Sequence, residues 1–226
     1  TCALPIFPGM IGAGVAQINL IVDIWLSSTL PEGSVTYINY GERVSQLPLS
    51  IIGVAMGIVL LPMLTKQLRQ DELDKALFTQ NRATEFVLLA SVPVAVALML
   101  CSYSFTSLIY GHGKFIDHPG HLIQTSQTLA AFCVGMPAYT LMKVFSSSFF
   151  ARKDTNTPVI IGLITVGVNF AINWHLMKYY QHVGIAIGTS IASWFNALLL
   201  AAFLKKKQMM VLDDQLIRNT PKILIS

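Results

Sequence analysis

The chain has 226 residues, 54% of them hydrophobic and only 12% charged, with 15 Lys and Arg against 11 Asp and Glu for a formal net charge of +4. A mean hydropathy of +0.61 lies far above what a soluble domain tolerates, so the composition excludes a free soluble enzyme and assigns the chain to a bilayer. A β-barrel is excluded too, because barrel strands alternate apolar and polar residues over short stretches, whereas the apolar runs here are continuous.

Six segments are predicted to cross the membrane as helices, over residues 6–30, 35–64, 84–110, 123–150, 158–177 and 184–204 of a lobe covering 1–204. Each meets the roughly 20 residues that a hydrocarbon core about 30 Å thick demands. The first carries one charge, Asp23, and a carboxylate there must be paired, protonated or bound to a cation. It begins without an initiator Met or a basic stretch, so the chain reads as a piece of something longer and its opening does not read as a signal peptide. Pro31-Glu32-Gly33-Ser34 has the residues of a tight turn.

The second segment is free of charge from Val44 to Thr65 but is led by Glu42 and Arg43, with Gln46 and Pro48 close behind. Charge at the head of a membrane helix marks a polar cavity or a partner, and Pro48 removes a backbone hydrogen bond where the helix would bend. Glu42 and Gln46 are four apart and share a face. Arg43 is the candidate contact for an anionic substrate, since its planar fork binds phosphate oxygens in pairs; the competing reading is that it snorkels to the headgroups. Gly53 and Gly57 stand at the spacing that lets membrane helices approach closely. Residues 67–82 are polar enough to form a short helix on the membrane surface.

The loop from Gly111 to Gly120 contains His112, Asp117 and His118, with His121 just beyond, but the spacing is not that of a metal centre and these side chains are expected to be solvated. In the fourth segment Lys143 stands alone before Ser146, Ser147 and Ser148; it is expected either to reach a cavity or carboxylate or to snorkel to the interface. In the fifth, Asn169 and Asn173 share a face, and in the sixth Thr189 follows Gly184 and Gly188. Together with Asp23 these offer the carboxylate, amide and hydroxyl oxygens that suit a hard cation such as sodium, although Asn and Thr also serve as ordinary hydrogen-bond glue between helices.

Basic residues orient the lobe. Lys66, Arg69, Lys75, Arg82, Arg152, Lys153, Lys205, Lys206 and Lys207 fall on one set of connections and only Lys114 and Lys178 on the other, which places the first set in the cytoplasm. Residues 205–226 then form a basic cytoplasmic segment. Cys2, Cys101 and Cys133 are isolated packing residues with no disulfide pattern. The chain has no P-loop or dinucleotide fingerprint, and no nucleophile with a base, so it is not read as an enzyme.

Gln17-Ile18-Asn19 with Asp23, the turn Leu30-Pro31-Glu32-Gly33-Ser34, Tyr40 with Glu42-Arg43 and Gln46-Leu47-Pro48, Leu60-Leu61-Pro62, and the string from Phe150 to Pro158 together resemble the MurJ (MviN) lipid II flippase family. The resemblance covers nearly the whole chain in order. It implies an all-α polytopic membrane protein of the multidrug/oligosaccharidyl-lipid/polysaccharide exporter superfamily, in which two six-helix lobes surround a cavity. This chain would be the second lobe, partnered by an N-terminal lobe of the same protein and leading into further C-terminal helices.

The function implied is translocation of the undecaprenyl-pyrophosphate-linked peptidoglycan precursor, lipid II, across the bacterial inner membrane by alternating access. Arg43, Glu42, Gln46 and Lys143 would bind substrate, with Gln46 standing where some members carry Glu. Asp23, Asn169, Asn173, Thr189 and the backbone carbonyl of Ile185 match a sodium site of the family, Asn173 replacing an acidic residue found in some members. The alternatives are a drug or polysaccharide exporter of the same superfamily, or a non-transporting membrane scaffold of the cell-wall machinery.

Overall fold

A computed structural model describes residues 6–115, 119–207 and 209. The described residues form α1 (Ile6–Ser28), α2 (Ser34–Arg69), α3 (Leu73–Leu100), α4 (Ser102–Tyr110), α5 (Pro119–Ala151) and α6 (Asn156–Lys206), with a 3-10 turn at Gly113–Phe115 and no strand. Four of these helices, α2, α3, α5 and α6, are long and apolar enough to cross a membrane.

Local chemistry explains the ends. At the close of α1 the hydroxyls of Ser27, Ser28 and Thr29 donate to the carbonyls of Ile24, Trp25 and Leu26, occupying groups a helix terminus leaves unpaired. Gly33 then adopts φ 93°, a conformation that only glycine takes freely. A Cβ there would lie 2.7 Å from the Tyr37 hydroxyl, so turn and helix start are fitted to each other.

The segment predicted as a surface helix over 67–82 does not form one. Its Lys, Gln and Arg are good helix formers, so α2 simply continues to Arg69 and α3 begins at Leu73, separated by a turn with Asp71 at φ 56°. The predicted span 84–110 is divided at Cys101, whose φ and ψ of −101° and 19° end α3 and start α4.

The larger event is in α6. Gln181 takes φ 50° and ψ −129°, a costly conformation for a side-chain-bearing residue, and the chain reverses there. Asn173 and Thr189, 16 residues apart, come within 3.5 Å, where a straight helix would hold them about 24 Å apart. Residues 156–180 and 182–206 are therefore the limbs of a hairpin.

The centre of the lobe is α5, which packs against α2, α3, α4 and α6, while α1 leans mainly on α6. Because lipid is as apolar as any core, small residues and buried polar bonds govern such contacts. A Cβ on Gly135 would lie 2.8 Å from the Ser190 hydroxyl, and Ser190 in turn donates to the Ala131 carbonyl at 2.8 Å. Gly41 of α2 sits against the α5 backbone at Leu129. Gly53, by contrast, faces the Lys143 side chain and not a helix backbone, so it is a notch for a lysine.

The basic connections gather at one end. Gln67 donates to Thr79, Arg152 to Gln80 and to the Met209 carbonyl, and Lys207 to Asp154 and Thr157. At the opposite end Tyr37, Tyr40, Tyr110, Phe115, His121 and His182 form a ring cluster. His121 is thus packed against Phe115 and bonded to the Tyr37 hydroxyl at 2.5 Å, in place of the solvated state expected for it. His118 and Asp117 lie outside the described residues, as does Cys2, and among the described residues no group of three or more His, Cys, Asp or Glu side chains could hold a metal.

Asp154 ties the close of α6 to its start. Burial alone would raise its carboxyl, but hydrogen bonds from Lys207 and Thr157 and the Lys207 charge outweigh that and hold it below its ordinary value. A depressed carboxylate stabilises the fold above the unfolded-state value and loses that contribution as pH falls through the folded one. Asp154→Asn is expected to cost at most about 1 kcal/mol at pH 7, since the Lys207 end is partly solvated. Thermal unfolding of both proteins should converge below about pH 3.

Candidate functional site: a buried carboxylate on the α6 hairpin

Helical spacing sets the parts of the site. On α1, Asn19 and Asp23 are four apart; on the first limb of α6, Thr165, Asn169 and Asn173 repeat at four; on the second, Ile185, Thr189 and Ser193 do the same. The hairpin at Gln181 sets the last two rows face to face, and α1 closes the third side.

Asp23 is the centre. Its Oδ1 accepts the amide of Asn169 at 3.0 Å and that of Asn173 at 2.8 Å, and its Oδ2 accepts the Thr189 hydroxyl at 3.2 Å. That hydroxyl has one hydrogen and also lies 2.9 Å from the Ile185 carbonyl, so its donation is shared. The structure thus assembles Asp23, Asn169, Asn173, Thr189 and the Ile185 carbonyl.

Asn169 and Asn173 are fully buried, yet neither Oδ1 has a hydrogen-bond partner. Buried acceptors are rarely left so. Both amides turn their N–H groups to Asp23 and their oxygens away from it; rotating each amide about its last side-chain bond would bring carboxylate, amide and hydroxyl oxygens together, the donor set that suits a hard monovalent cation. Gly188 makes room: a Cβ there would fall 2.0 Å from the Asn173 Oδ1.

The site opens on a cavity of about 620 Å³, whose lining includes Asn19, Asp23, Glu42, Gln46, Tyr139 and Thr189 and reaches Phe150 and Leu200 towards the basic end. Glu42 accepts the Gln46 amide at 2.7 Å. Among the described lining residues there are two carboxylates and no Lys or Arg.

The sequence-predicted substrate residues are therefore split. Glu42 and Gln46 face this cavity, while Arg43 is exposed and stands outside the lining. Lys143 is also exposed and outside the lining, its ammonium 2.6 Å from where a Gly53 Cβ would be. Neither base joins the Asp23 cluster. Asn19, outside the cation set read from the sequence, accepts the Asn169 amide on its Oδ1 at 2.6 Å; it stands one turn before Asp23 on the same face of α1.

Gly188→Ala should drive the Asn173 amide out of place and so weaken its bond to Asp23, costing about 1–3 kcal/mol as an overpacked contact does. A lower unfolding temperature in detergent is the expected result, and the substitution Gly167→Ala, where a Cβ meets open space, should leave it nearly unchanged.

Comparison with known proteins places this geometry in a lineage. A family profile described as "Lipid II flippase MurJ" matches residues 3–225. The probable lipid II flippase MurJ of Rickettsia prowazekii (strain Madrid E) is 35% identical over 218 residues, covering 96% of this chain and 42% of that protein. The corresponding protein of Rhizobium tropici is 37% identical over 219 residues, covering 97% and 40%.

Among solved structures, a lipid II flippase MurJ in an inward closed conformation superposes with a TM-score of 0.83 at 27% identity, over 97% of this chain and 44% of that one. An outward-facing multidrug resistance transporter of the MATE family in the MOP superfamily gives 0.78 at 13% identity, covering 94% and 48%, a likeness of fold alone. The chain spans about two-fifths of the length of these curated relatives.

Proposed function

We propose, from the premise that this chain belongs to the lipid II flippase MurJ family, that it is one lobe of a transporter carrying lipid-linked peptidoglycan precursor from the cytoplasmic to the outer leaflet of the bacterial inner membrane. The observation that carries the reading is the match over residues 3–225, nearly the entire chain. The lobe works by alternating access against a second lobe, and substrate or cation biases the cycle only by its differential affinity for the two states.

Arg43 is the contact for the pyrophosphate. An anion is repelled by a cavity lined with Asp23 and Glu42, so the polar headgroup meets this lobe on the exposed Arg43 face of α2. Lys143, also exposed, adds a second cation for the same substrate. Glu42, bonded to Gln46, lies on the cavity side, while Arg43, the next residue, is exposed and available to an anion.

Asp23, Asn169, Asn173, Thr189 and the Ile185 carbonyl would hold a sodium ion, whose charge would stabilise the buried carboxylate and draw α1 onto the α6 hairpin. Support for the fit comes from the two buried amide oxygens without a hydrogen-bond partner, which rotation of the Asn169 and Asn173 amides would bring to Asp23.

In the complete protein, Arg43→Ala is expected to abolish lipid II translocation in vesicles while the protein still inserts; unaltered translocation by that variant would remove Arg43 from the substrate site. Sodium should raise the unfolding temperature of the complete protein relative to choline at equal ionic strength, and Asp23→Ala should erase the difference. An equal sodium effect in both proteins rules out Asp23 as the ligand. Competition by lipid II, and by no drug or polysaccharide substrate, separates the flippase from exporters that share the fold.

A further inference from the structure

We propose that Asn19 is a further member of the cation site, its cavity-side amide, which positions Asn169 and supplies the first protein oxygen that a monovalent alkali cation meets on its way to Asp23. The proposal rests on the cation reading of the Asp23 cluster and adds a residue and an entry side to it.

Three observations carry it. First, Asn19 Oδ1 accepts the Asn169 amide at 2.6 Å, shorter than any other side-chain bond in the cluster, and that same amide reaches Asp23 at 3.0 Å. The two N–H groups of the Asn169 amide are thus divided between a neutral oxygen and the carboxylate, so removing Asn19 frees one of them and changes how Asn169 faces Asp23. Second, Asn169 and Asn173 are fully buried and do not line the cavity, whereas Asn19, Asp23 and Thr189 do. Of the cluster's side chains, Asn19, Asp23 and Thr189 are thus the ones that meet the cavity.

Third, the direction is set by the helix. The close of α1 joins α2 at the end opposite the basic connections, so Asn19 lies one turn, about 6 Å, nearer the basic end than Asp23. The cavity extends that same way, to Phe150, Pro158 and Leu200. A cation arriving through the cavity from the basic end passes Asn19 before Asp23.

The charge count selects the ion. With Asn19, Asn169 and Asn173 as amides and Asp23 as the only carboxylate in the cluster, the site supplies one negative charge and several neutral oxygens. That balances a single positive charge. A divalent ion such as calcium is usually matched by more than one carboxylate, so the neutrality of Asn19 excludes it.

The test uses the complete protein in detergent and follows the unfolding temperature against sodium, with choline holding ionic strength constant. A residue that only packs would lower the starting temperature without moving the sodium concentration for half-maximal effect. Asn19→Leu, similar in size but without the amide, is expected to raise that concentration by about tenfold or more, as loss of a ligand's partner does. Asn19→Asp is expected to lower it and to create a response to calcium that the unaltered protein lacks.

A half-maximal concentration unchanged in Asn19→Leu, with the sodium effect still abolished by Asp23→Ala, overturns the role of Asn19 and leaves the cation site standing. Should the leucine variant not fold, Asn19→Asp decides: an unaltered sodium response and no calcium response overturn the proposal. Absence of any sodium effect in the unaltered protein overturns both this proposal and the cation reading beneath it.

Discussion

A single carboxylate in the apolar body of the lobe constrains the rest of its architecture. Asp23 stands alone among the charges of α1, and an unpaired carboxylate in hydrocarbon is too costly to survive without donors around it. The fold meets that demand with two amides and a hydroxyl delivered by two different limbs of α6. Those limbs can converge on one side chain only because the chain reverses at Gln181. The strained backbone there is offset by the bonds it makes possible, and α1 docks where they are.

The same economy of charge divides the lobe into two electrostatic regions. The internal cavity holds Asp23 and Glu42 and no basic lining residue, while Arg43 and Lys143 are exposed elsewhere. In a low-dielectric surrounding, like charges repel strongly and opposite ones attract, so the cavity is electronegative while these two basic groups stand outside it. Neighbouring residues on α2 point in directions about 100° apart. Glu42 and Arg43, adjacent in the chain, can therefore serve different surfaces while remaining close enough to influence one another.

At its two ends the lobe is held by different means. The basic end uses hydrogen bonds and an ion pair among Arg152, Gln80, Asp154 and Lys207, which suit a boundary with water. The opposite end relies on stacked rings, Tyr40 on Tyr110 at 4.2 Å and Phe115 on His121 at 5.4 Å, whose apolar bodies and polar tips suit a membrane interface. Between them α5 carries close contacts through Gly135 and the α2 residue Gly41, where a side chain would hold the helices apart.

Much of this was legible in the residues, because it depends on composition and on period. Long charge-free runs can only be membrane helices, the distribution of Lys and Arg separates two ends, and Asp23, Asn169, Asn173 and Thr189 stand out as polar groups where none is cheap. Glu42 and Gln46 share a face by spacing alone. What remained hidden required knowledge of which faces meet. Nothing in the string marks Cys101 as a break; the reversal at Gln181, by contrast, falls between the predicted segments 158–177 and 184–204, and only the pairing of Asn173 with Thr189 across it needed the structure. The polar residues after Gln67 read as a separate helix because good helix formers do not reveal where a helix stops. Asn19 joined the cluster, Arg43 turned from the cavity and Gly53 received Lys143 only once the helices had packed. Period assigns a residue to a face of its own helix, but the partner of that face is chosen by contacts between residues as much as 166 positions apart.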